Sequence, residues 1–392
     1  MTTTTNKNYY CSQKFWWLSI DTEKLTTQSC CSADPHNIDI KWLQKNPGHI
    51  FNTLALQQER IAMLNEAPVS SCQTNCWEPE SKGLTSRRLL MNSQQRSHTN
   101  IVASPETLNI MIGSNCNLTC IYCCKQFSTA WINDIQANGP YNVDGFADRY
   151  TINNKDRVLS KLSQREINIS PNKKVLLDEI KLVCRDSKLT RINISGGEPF
   201  LYLYLTDLLA ILPTDSLIVI YTGLGVDEKR FIKELDKLTK YQNLTISISA
   251  ESIDDHYEFI RTGNTWQRFS NNLLAIKTRG INYEFNSVLS NLTLFGIDKF
   301  VEFADGVNIT YQLCNDPNFL SINVLDNDSK RLIHNSIDSL PIDTQILIKN
   351  SLDIIPSSQQ QTNLKNYLIE FTNRKQLNLD IFPKHFINWI NE

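Results

Sequence analysis

The chain has 392 residues, an apolar content of 41%, a charged content of 20% and a formal net charge of −2, values typical of a folded globular protein without general attraction to nucleic acid or anionic lipid. No run approaches the roughly 20 apolar residues that a membrane-spanning helix needs, and the first residues lack the basic and apolar pattern of a signal peptide. We therefore expect a cytoplasmic protein with no nucleic-acid or membrane partner, whose 11 cysteines favour metal ligation over disulfides.

Three regions follow one another along the chain. Residues 1–100 show little regular pattern, carry five cysteines and end in a polar stretch, NSQQRSHTN, that is typical of a linker. Residues 101–315 alternate strand-like and helix-like segments, and residues 316–392 are mainly helical, with turns at Pro341 and Pro356. The pattern predicts a cysteine-rich N-terminal domain, a central α/β domain and a helical C-terminal extension with these bounds.

The central region carries six apolar, β-branched runs that predict strands. Amphipathic segments of helical period, such as DEKRFIKELDKLTKY, lie between most of them. This alternation predicts a parallel sheet covered by helices, and six units are consistent with a curved partial barrel whose functional residues follow the carboxyl ends of the strands. The predicted strands are 107–113, 190–196, 216–223, 244–250, 283–289 and 307–313.

The loop after the first predicted strand reads Cys116-Asn-Leu-Thr-Cys120-Ile-Tyr-Cys123. Three thiolates so close in sequence can ligate three irons of a [4Fe–4S] cluster, which leaves the fourth iron open to a substrate. A zinc site would want a fourth protein ligand, and the adjacent Cys124 competes for the role of ligand. A zinc loop with a distant fourth ligand and a set of buried thiols are the alternatives at this point.

A second motif follows the second predicted strand. The run TRINIS leads directly into Gly196-Gly197-Glu198-Pro199. Two glycines at a strand end let the backbone approach a ligand closely, and Glu198 offers an acceptor for an ammonium group. The structural alternative is a glycine turn with a surface glutamate, but the motif occurs at the next strand end after the cysteine loop. This position favours a shared binding site.

With these two motifs the chain resembles the radical S-adenosylmethionine (SAM) superfamily. Its hallmarks, C-x3-C-x-aromatic-C and a GGE-type motif, match Cys116, Cys120, Tyr122, Cys123 and the stretch 196–199. The resemblance implies a partial (β/α)6 TIM-like barrel, a [4Fe–4S] cluster that binds SAM at its open iron, and cleavage of SAM to a 5′-deoxyadenosyl radical that abstracts hydrogen. It also implies that Tyr122 lies near the adenine and that a reductant such as flavodoxin or ferredoxin supplies the electron.

Two further positions resemble SAM-contacting residues of peptide-modifying members. Ser249 ends the fourth predicted strand and is similar to a serine that contacts the ribose, and Arg261, in HYEFIRTG, is similar to an arginine that contacts the carboxylate. Ala250 and Glu251 stand where many of those members have Asp-Gly, which indicates a different local loop. A surface cation at a helix end is the alternative interpretation of Arg261.

Cysteines are also spread through the N-terminal region, with aromatic residues between them. A segment with so little regular pattern gains stability from a metal centre, and four thiolates suit zinc as well as an iron–sulfur cluster. The candidate ligands are Cys11, Cys30, Cys31, Cys72 and Cys76.

The stretch from Cys76 to Asn92 resembles the cysteine-rich segment of the SPASM/twitch group of radical SAM proteins, of the form C-W-x2-E-x2-G-x2-S-x-R-x3-N. Those accessory domains hold an auxiliary iron–sulfur cluster and usually follow the barrel, whereas this segment precedes it. The resemblance favours a second, auxiliary [4Fe–4S] cluster over zinc. It leaves open how the domain docks and whether Cys30 or Cys31 is the ligand.

The SPASM/twitch group mostly modifies ribosomally made peptides. The resemblance therefore implies an enzyme that acts on a precursor peptide with a leader, with or without a separate small leader-binding protein, and it favours a crosslink, backbone cleavage or excision. One alternative is an epimerase in which Cys314, at the end of the sixth predicted strand, donates hydrogen; a buried structural thiol is the other interpretation of that residue. Another is an enzyme of small molecules or nucleosides. The segment 125–172 is a candidate lid or peptide-docking surface, or a solvated insertion.

Overall fold

The computed structural model describes residues 9–81, 86–93, 98–153 and 170–392. The strands are β1 (Trp17–Asp21), β2 (Thr26–Gln28), β3 (His36–Asn37), β4 (Thr107–Met111), β5 (Arg191–Ser195), β6 (Leu217–Thr222), β7 (Leu244–Ser249), β8 (Asn282–Leu289) and β9 (Ile309–Leu313). They form one nine-stranded sheet in the order β3-β2-β1-β4-β5-β6-β7-β8-β9.

The strands from β4 to β9 are parallel throughout, which confirms the predicted α/β class with a TIM-like parallel core. Each predicted strand agrees with the observed one to within two residues at either end. In β6 the successive residues Ile218, Val219 and Ile220 are all buried, because helices cover one face and the barrel interior the other. Such a strand must be apolar on both faces, and this is why its sequence is a continuous apolar run.

The helices begin where the sequence supplies start signals. The Ser170 side chain accepts from the backbone N–H of Lys173 ahead of Pro171, and the Asp227 side chain caps the helix that follows it. The helices are α1 (Ile40–Lys45), α2 (Leu54–Leu64), α3 (Glu78–Ser81), α4 (Arg87–Asn92), α5 (Thr129–Asn138), α6 (Ala147–Tyr150), α7 (Pro171–Asp186), α8 (Leu205–Ala210), α9 (Glu228–Leu238), α10 (Asp254–Ile260), α11 (Trp266–Thr278), α12 (Ile297–Ala304), α13 (Asn327–Ser336), α14 (Ile342–Leu352), α15 (Ser358–Lys375) and α16 (Lys384–Asn391).

The N-terminal region has more regular structure than its sequence pattern indicates. Strand β1 pairs in parallel with β4, with Trp17 opposite Thr107 and Asp21 opposite Met111, and β2 turns back along β1. All five residues of β1 are buried, the polar ones included. The strand is short and begins within a run of aromatic residues, so the sequence alone does not indicate that it extends the barrel sheet.

The helical C-terminal region predicted from the sequence is confirmed, and it braces the cysteine loop. On α15, the Tyr367 hydroxyl donates to the carbonyl oxygen of Ile121 at 2.6 Å. Further along the same helix, the Lys375 ammonium lies 2.6 Å from the Asp134 carboxylate on α5. Among the described helices, none combines the length and the apolar composition needed to cross a membrane.

Candidate functional site

The loop after β4 brings three thiols, of buried Cys120 and half-buried Cys116 and Cys123, into one another's electrostatic range. Burial raises the pKa of Cys116 to about 12, and a neighbouring thiolate at Cys120 adds to the effect. Burial also raises the pKa of Cys123, together with the thiolates of Cys124, Cys120 and Cys116. Thiols in such surroundings stay protonated unless a cation takes the place of the proton, so the donor set fits a positively charged iron–sulfur core.

The backbone of this loop is fixed by partners from other elements. The N–H groups of Thr119 and Ile121 donate to the carbonyl oxygens of Thr262 and Ile260, at 2.8 and 2.9 Å. The indole N–H of Trp131 on α5 donates to the carbonyl oxygen of Cys120 at 3.2 Å. The ligand loop is therefore held in place by the protein itself.

Cys124 directly follows the first three cysteines and lies within electrostatic range of Cys123. It is buried, and although burial raises its pKa, the nearby guanidinium of Arg149 acts in the opposite direction. The Arg149 side chain also donates to the carbonyl oxygen of Tyr122 at 3.0 Å and pairs with Asp316 after β9. Arg149 belongs to the candidate lid segment, of which residues 154–169 lie outside the described residues.

The glycine turn after β5 packs directly on the approach to the cysteine loop. Gly197 has a φ of +51°, and a Cβ at that position would lie 2.3 Å from the carbonyl oxygen of Asn115. The backbone N–H of Glu198 donates to the same oxygen at 2.8 Å. Only glycine satisfies both the conformation and this contact, so the turn and the cysteine loop share one backbone arrangement.

The Glu198 side chain turns inward, although the sequence pattern suggested an acceptor for a ligand's ammonium group. Its carboxylate accepts from the Thr222 hydroxyl at 2.9 Å, from the Gly223 N–H at 3.1 Å and from the Phe200 N–H at 3.2 Å. Burial, which outweighs these hydrogen bonds, raises its pKa to about 7. Glu198 therefore connects the glycine turn to the end of β6, and Pro199 begins the short helical turn beyond it.

Glu251 and Arg261 form a buried ion pair beside the cysteine loop. The Arg261 Nη2 lies 2.8 Å from Glu251 Oε2, and its Nη1 lies 3.8 Å from the sulfur of Cys120. The Tyr122 hydroxyl donates to Glu251 Oε1 at 2.8 Å. Although burial alone would lower it, the Glu251 carboxylate holds the pKa of Arg261 well above its usual value. Arg261 is thus an internal cation that faces a candidate cluster ligand, and not a surface residue.

The end of β7 contains a residue whose importance the sequence pattern did not indicate. Glu251 drew notice only as a departure from a family pattern, yet it joins Tyr122 to Arg261. An acidic residue just past a barrel strand is the signal that could have identified it. Ser249 is half-buried at the same strand end, and the hydroxyl of Ser252, buried three residues later, has no hydrogen-bond partner among the described residues. An unpaired buried hydroxyl at this edge fits a site that receives a polar ligand.

Cys314 follows β9 at the same edge of the sheet. It is buried, its N–H donates to the carbonyl oxygen of Leu289 at 2.8 Å, and burial raises its pKa to about 12. The nearby charges of Arg149 and Asp316 have smaller, opposing effects on that pKa. The carboxyl edge of the sheet thus carries the cysteine loop, the glycine turn, the Glu251–Arg261 pair and Cys314.

The N-terminal cysteines gather at a second place. Cys11, Cys72 and Cys76 are buried together against Met63, Val69 and Trp77. Burial raises the pKa of Cys11 to about 11, and the thiolates of Cys72 and Cys76 add to the effect. Of the adjacent pair, Cys30 is buried and Cys31 is exposed. Within the described ranges, no three His, Cys, Asp or Glu side chains converge as ligands of a single metal ion do.

The two cysteine groups lie at opposite edges of the sheet. Cys11 precedes β1, whereas Cys116 follows β4, and these two strands run side by side in the same direction. Five residues of strand separate the two edges by about 17 Å. The turn after β1 reaches the carboxyl edge, where the Glu23 carboxylate accepts from the N–H and hydroxyl of Ser114, both at 2.8 Å. Among the described residues, the N-terminal region therefore contacts the cysteine loop after β4 through this turn and not through its own cysteines.

Comparison with known proteins gives one family and several partial structural likenesses. The family model described as "Radical SAM superfamily" matches residues 110–305, half of the chain. No curated protein sequence matches the chain. A structure titled "Native anSMEcpe with bound AdoMet" is 16% identical, with a TM-score of 0.39, over 60% of each chain. "Crystal structure of Streptococcus suis SuiB bound to precursor peptide SuiA" is 12% identical, with a TM-score of 0.39, over 94% of this chain and 71% of that one. The chain spans about 60% of the length of the first matched structures.

Proposed function

Since the chain belongs to the radical SAM superfamily of enzymes, we propose that it modifies a ribosomally made peptide by hydrogen abstraction. The family implies a [4Fe–4S] cluster and SAM, which when bound supply a 5′-deoxyadenosyl radical. The observation that carries the proposal is that Cys116, Cys120 and Cys123 lie within electrostatic range of one another, beside the glycine turn at the carboxyl edge of a parallel sheet. This is the edge at which barrel enzymes carry their active sites.

The roles of the chain's own residues follow from their contacts. Cys116, Cys120 and Cys123 hold the cluster on a loop whose backbone is fixed before any ligand binds. Arg261 lies 3.8 Å from the sulfur of Cys120, so its charge favours the thiolate form of that ligand. Glu251 keeps Arg261 in place and accepts from the hydroxyl of Tyr122, which fixes that ring for contact with the adenine.

A second [4Fe–4S] cluster at the N-terminal cysteines is part of the same proposal. Burial favours the set Cys11, Cys30, Cys72 and Cys76 over one that includes the exposed Cys31. The Gln13 side chain accepts from the Cys30 thiol at 3.4 Å, and its buried Nε2 has no hydrogen-bond acceptor among the described residues. An unpaired N–H donor at this place fits the sulfide acceptors of an iron–sulfur cluster.

The substrate class rests on this N-terminal region, whose sequence resembles the SPASM/twitch segments of peptide-modifying members. Because its cysteines lie at the opposite edge from the barrel site, direct binding of the substrate to an auxiliary cluster is disfavoured. Uptake of an electron from the reaction fits the geometry better, and it favours oxidative products such as a crosslink, backbone cleavage or excision. Peptide epimerisation is the second candidate, because Cys314 lies at the same edge as the cysteine loop.

The test uses short peptides encoded beside the gene, incubated anaerobically with reconstituted enzyme, SAM and a strong reductant. We expect SAM cleavage and the modification of one peptide. A loss of two hydrogens from the peptide mass marks a crosslink. Epimerisation leaves the mass unchanged when the reaction is run in water and adds one deuterium when it is run in deuterated water. In a Cys72→Ala, Cys76→Ala variant that keeps its fold and barrel cluster, SAM is still cleaved while the yield of modified peptide falls. Modification of a nucleoside or metabolite in place of every peptide would overturn the proposal.

A further inference from the structure

The short 3-10 turn Ser12–Phe15 places two buried polar side chains among the N-terminal cysteines. It lies between Cys11 and β1, and its residues are all buried. The Lys14 side chain is only 1% exposed, and the Gln13 side chain follows Cys11 by two positions. A fully buried lysine is rare, because removing an ammonium from water is costly unless negative charge surrounds it.

The negative charge around Lys14 comes from two sources. Its ammonium pairs with the Glu59 carboxylate at 2.7 Å and donates to the Ser71 hydroxyl at 3.3 Å. Burial lowers the pKa of Lys14, but Glu59 and then the thiolates of Cys72 and Cys30 more than offset this effect. Lys14 is therefore a buried cation within electrostatic range of two candidate ligands from separate parts of the chain.

The Glu59 carboxylate is itself held by several donors. His36 Nε2 lies 3.0 Å from Oε1, and the Ser29 hydroxyl donates to Oε2 at 3.2 Å, in addition to the bonds from Lys14 and Ser71. Because these donors share the carboxylate, Lys14 does not neutralise it alone. Part of the lysine's positive field then reaches the cysteines.

Gln13 adds a neutral donor to the same place. Arg87 Nε donates to its Oε1 at 3.1 Å, which fixes the orientation of the amide, and the Cys30 thiol donates to the same oxygen. The amide Nε2 is buried and unpaired among the described residues. A buried cation and an N–H donor both stabilise a cluster that becomes more negative when it takes up an electron.

We propose that Lys14 and Gln13 raise the reduction potential of the cluster at Cys11, Cys30, Cys72 and Cys76, so that they are positioning residues for its redox function. This inference rests on the proposed iron–sulfur identity of the N-terminal site. The step concerned is a one-electron reduction of the cluster, in which an external reductant, dithionite in vitro, is oxidised. A lysine that served only as the structural partner of Glu59 would leave the potential unchanged.

The experiment isolates the N-terminal cluster in a full-length protein that carries Cys116→Ala, Cys120→Ala and Cys123→Ala. A redox titration followed by electron paramagnetic resonance then measures one midpoint potential. We expect Lys14→Met to shift this potential to a more negative value and Gln13→Leu to shift it less in the same direction. Lys14→Arg keeps the charge and stays near the parent. Lys24→Met is the matched control. It removes the same charge, but Lys24 lies over the Phe127 ring at the carboxyl edge of the sheet, away from the N-terminal cysteines.

Variants of Glu59, the ion-pair partner of Lys14, serve as controls for loss of the fold. Lys14→Met alone leaves a buried carboxylate without its partner, so Glu59→Gln and the double variant Lys14→Met, Glu59→Gln complete a cycle in which the pair is removed together. The double variant should have a more negative potential than Glu59→Gln alone, with equal iron content. Equal potentials in these two proteins overturn the inference and leave the proposed function intact. A parent protein with zinc and no redox signal at this site, while SAM is still cleaved at the barrel, overturns the inference together with the auxiliary cluster.

Discussion

The Arg261 guanidinium and the Glu251 carboxylate meet at 2.8 Å with almost no access to solvent, since their side chains are 7% and 0% exposed. The pair joins the end of β7 to the loop that carries Cys120 and Tyr122. A charge buried in this way is stable only with its partner, so the structure of the cysteine loop depends on both members of the pair.

Replacing Glu251 with alanine tests that dependence. The change leaves Arg261 buried and unpaired, and we expect the free energy of unfolding to fall by about 3–5 kcal/mol, with a loss of SAM cleavage. The matched control is Asp236→Ala, which breaks a 2.7 Å ion pair with Arg279 on the surface and should change stability by no more than about 1 kcal/mol. Urea unfolding followed by circular dichroism measures both; equal effects would contradict a special role of the buried pair.

The three cysteines of the barrel loop should each be needed for 5′-deoxyadenosine formation. Alanine at Cys116, Cys120 or Cys123 removes a ligand and with it the barrel cluster, and we expect SAM cleavage to become undetectable. Cys124→Ala and Cys184→Ala should keep it, since Cys124 falls outside the C-x3-C-x2-C spacing and Cys184 lies on helix α7. Chromatography of the reaction products is the measurement. Activity in Cys123→Ala together with inactivity in Cys124→Ala would show that the ligand is the adjacent residue.

Measurement of the iron content distinguishes Cys30 from Cys31 as a ligand of the proposed auxiliary cluster. Fully reconstituted protein should hold on the order of eight irons per chain if both sites bind [4Fe–4S] clusters. Cys30→Ser should lower this to about half, whereas Cys31→Ser should not, because only Cys30 is buried. Four irons with one zinc in the parent would rule out the auxiliary cluster and leave the SAM site unaffected.

Gly197→Ala should disrupt the barrel site through the backbone. A Cβ would meet the carbonyl oxygen of Asn115 at 2.3 Å, so we expect loss of barrel iron as well as loss of SAM cleavage. Gly145→Ala is the control, since Gly145 also has a positive φ, of +81°, but has no atom within 4 Å of the added Cβ. That variant carries only the backbone strain of about 1–2 kcal/mol and should retain both clusters. If Gly197→Ala keeps its iron but fails to bind SAM, the glycine acts on the ligand directly.

The acid stability of the chain should depend on His256. Burial, reinforced by the nearby Lys299 ammonium, lowers its pKa to about 4, even though its Nε2–H donates to the carbonyl oxygen of Leu292 at 3.0 Å. The unfolded chain takes up the proton at higher pH than the folded chain, so stability falls as the pH drops from about 7 towards 4. At pH 5 the loss amounts to about 2 kcal/mol.

The corresponding measurement is urea unfolding at pH 7 and pH 5 for the parent, for His256→Gln and for His334→Gln. The first variant should lose about 2 kcal/mol less than the parent over this interval, and the second, on an exposed histidine, should behave like the parent. An identical pH dependence in all three proteins would mean that His256 has the same pKa in the folded and the unfolded chain.

The strands of the barrel could be predicted from their apolar, β-branched residues, which form a continuous run in β6 and alternate with polar residues in β5 and β7. Strand β1 has only five residues, and its partner β4 begins 90 residues after it, so the local sequence does not indicate their pairing. The sequence also could not predict which of the adjacent residues Cys30 and Cys31 is buried, since only tertiary packing distinguishes them. The role of Glu251 could not be predicted from the sequence, because it depends on a contact with Tyr122, which is 129 residues away in the chain.

The pairing of β1 with β4 also has a consequence during synthesis. A ribosome that adds roughly 5–20 residues per second releases β1 on the order of ten seconds before β4. Throughout that delay β2 can pair with one edge of β1, but the other edge has no partner, and the long connection between β1 and β4 makes their later encounter entropically slow. Five cysteine thiols precede β4 in the chain, so delivery of iron and sulfide to this protein must either follow completion of the barrel or protect an unfolded N-terminal segment in the meantime.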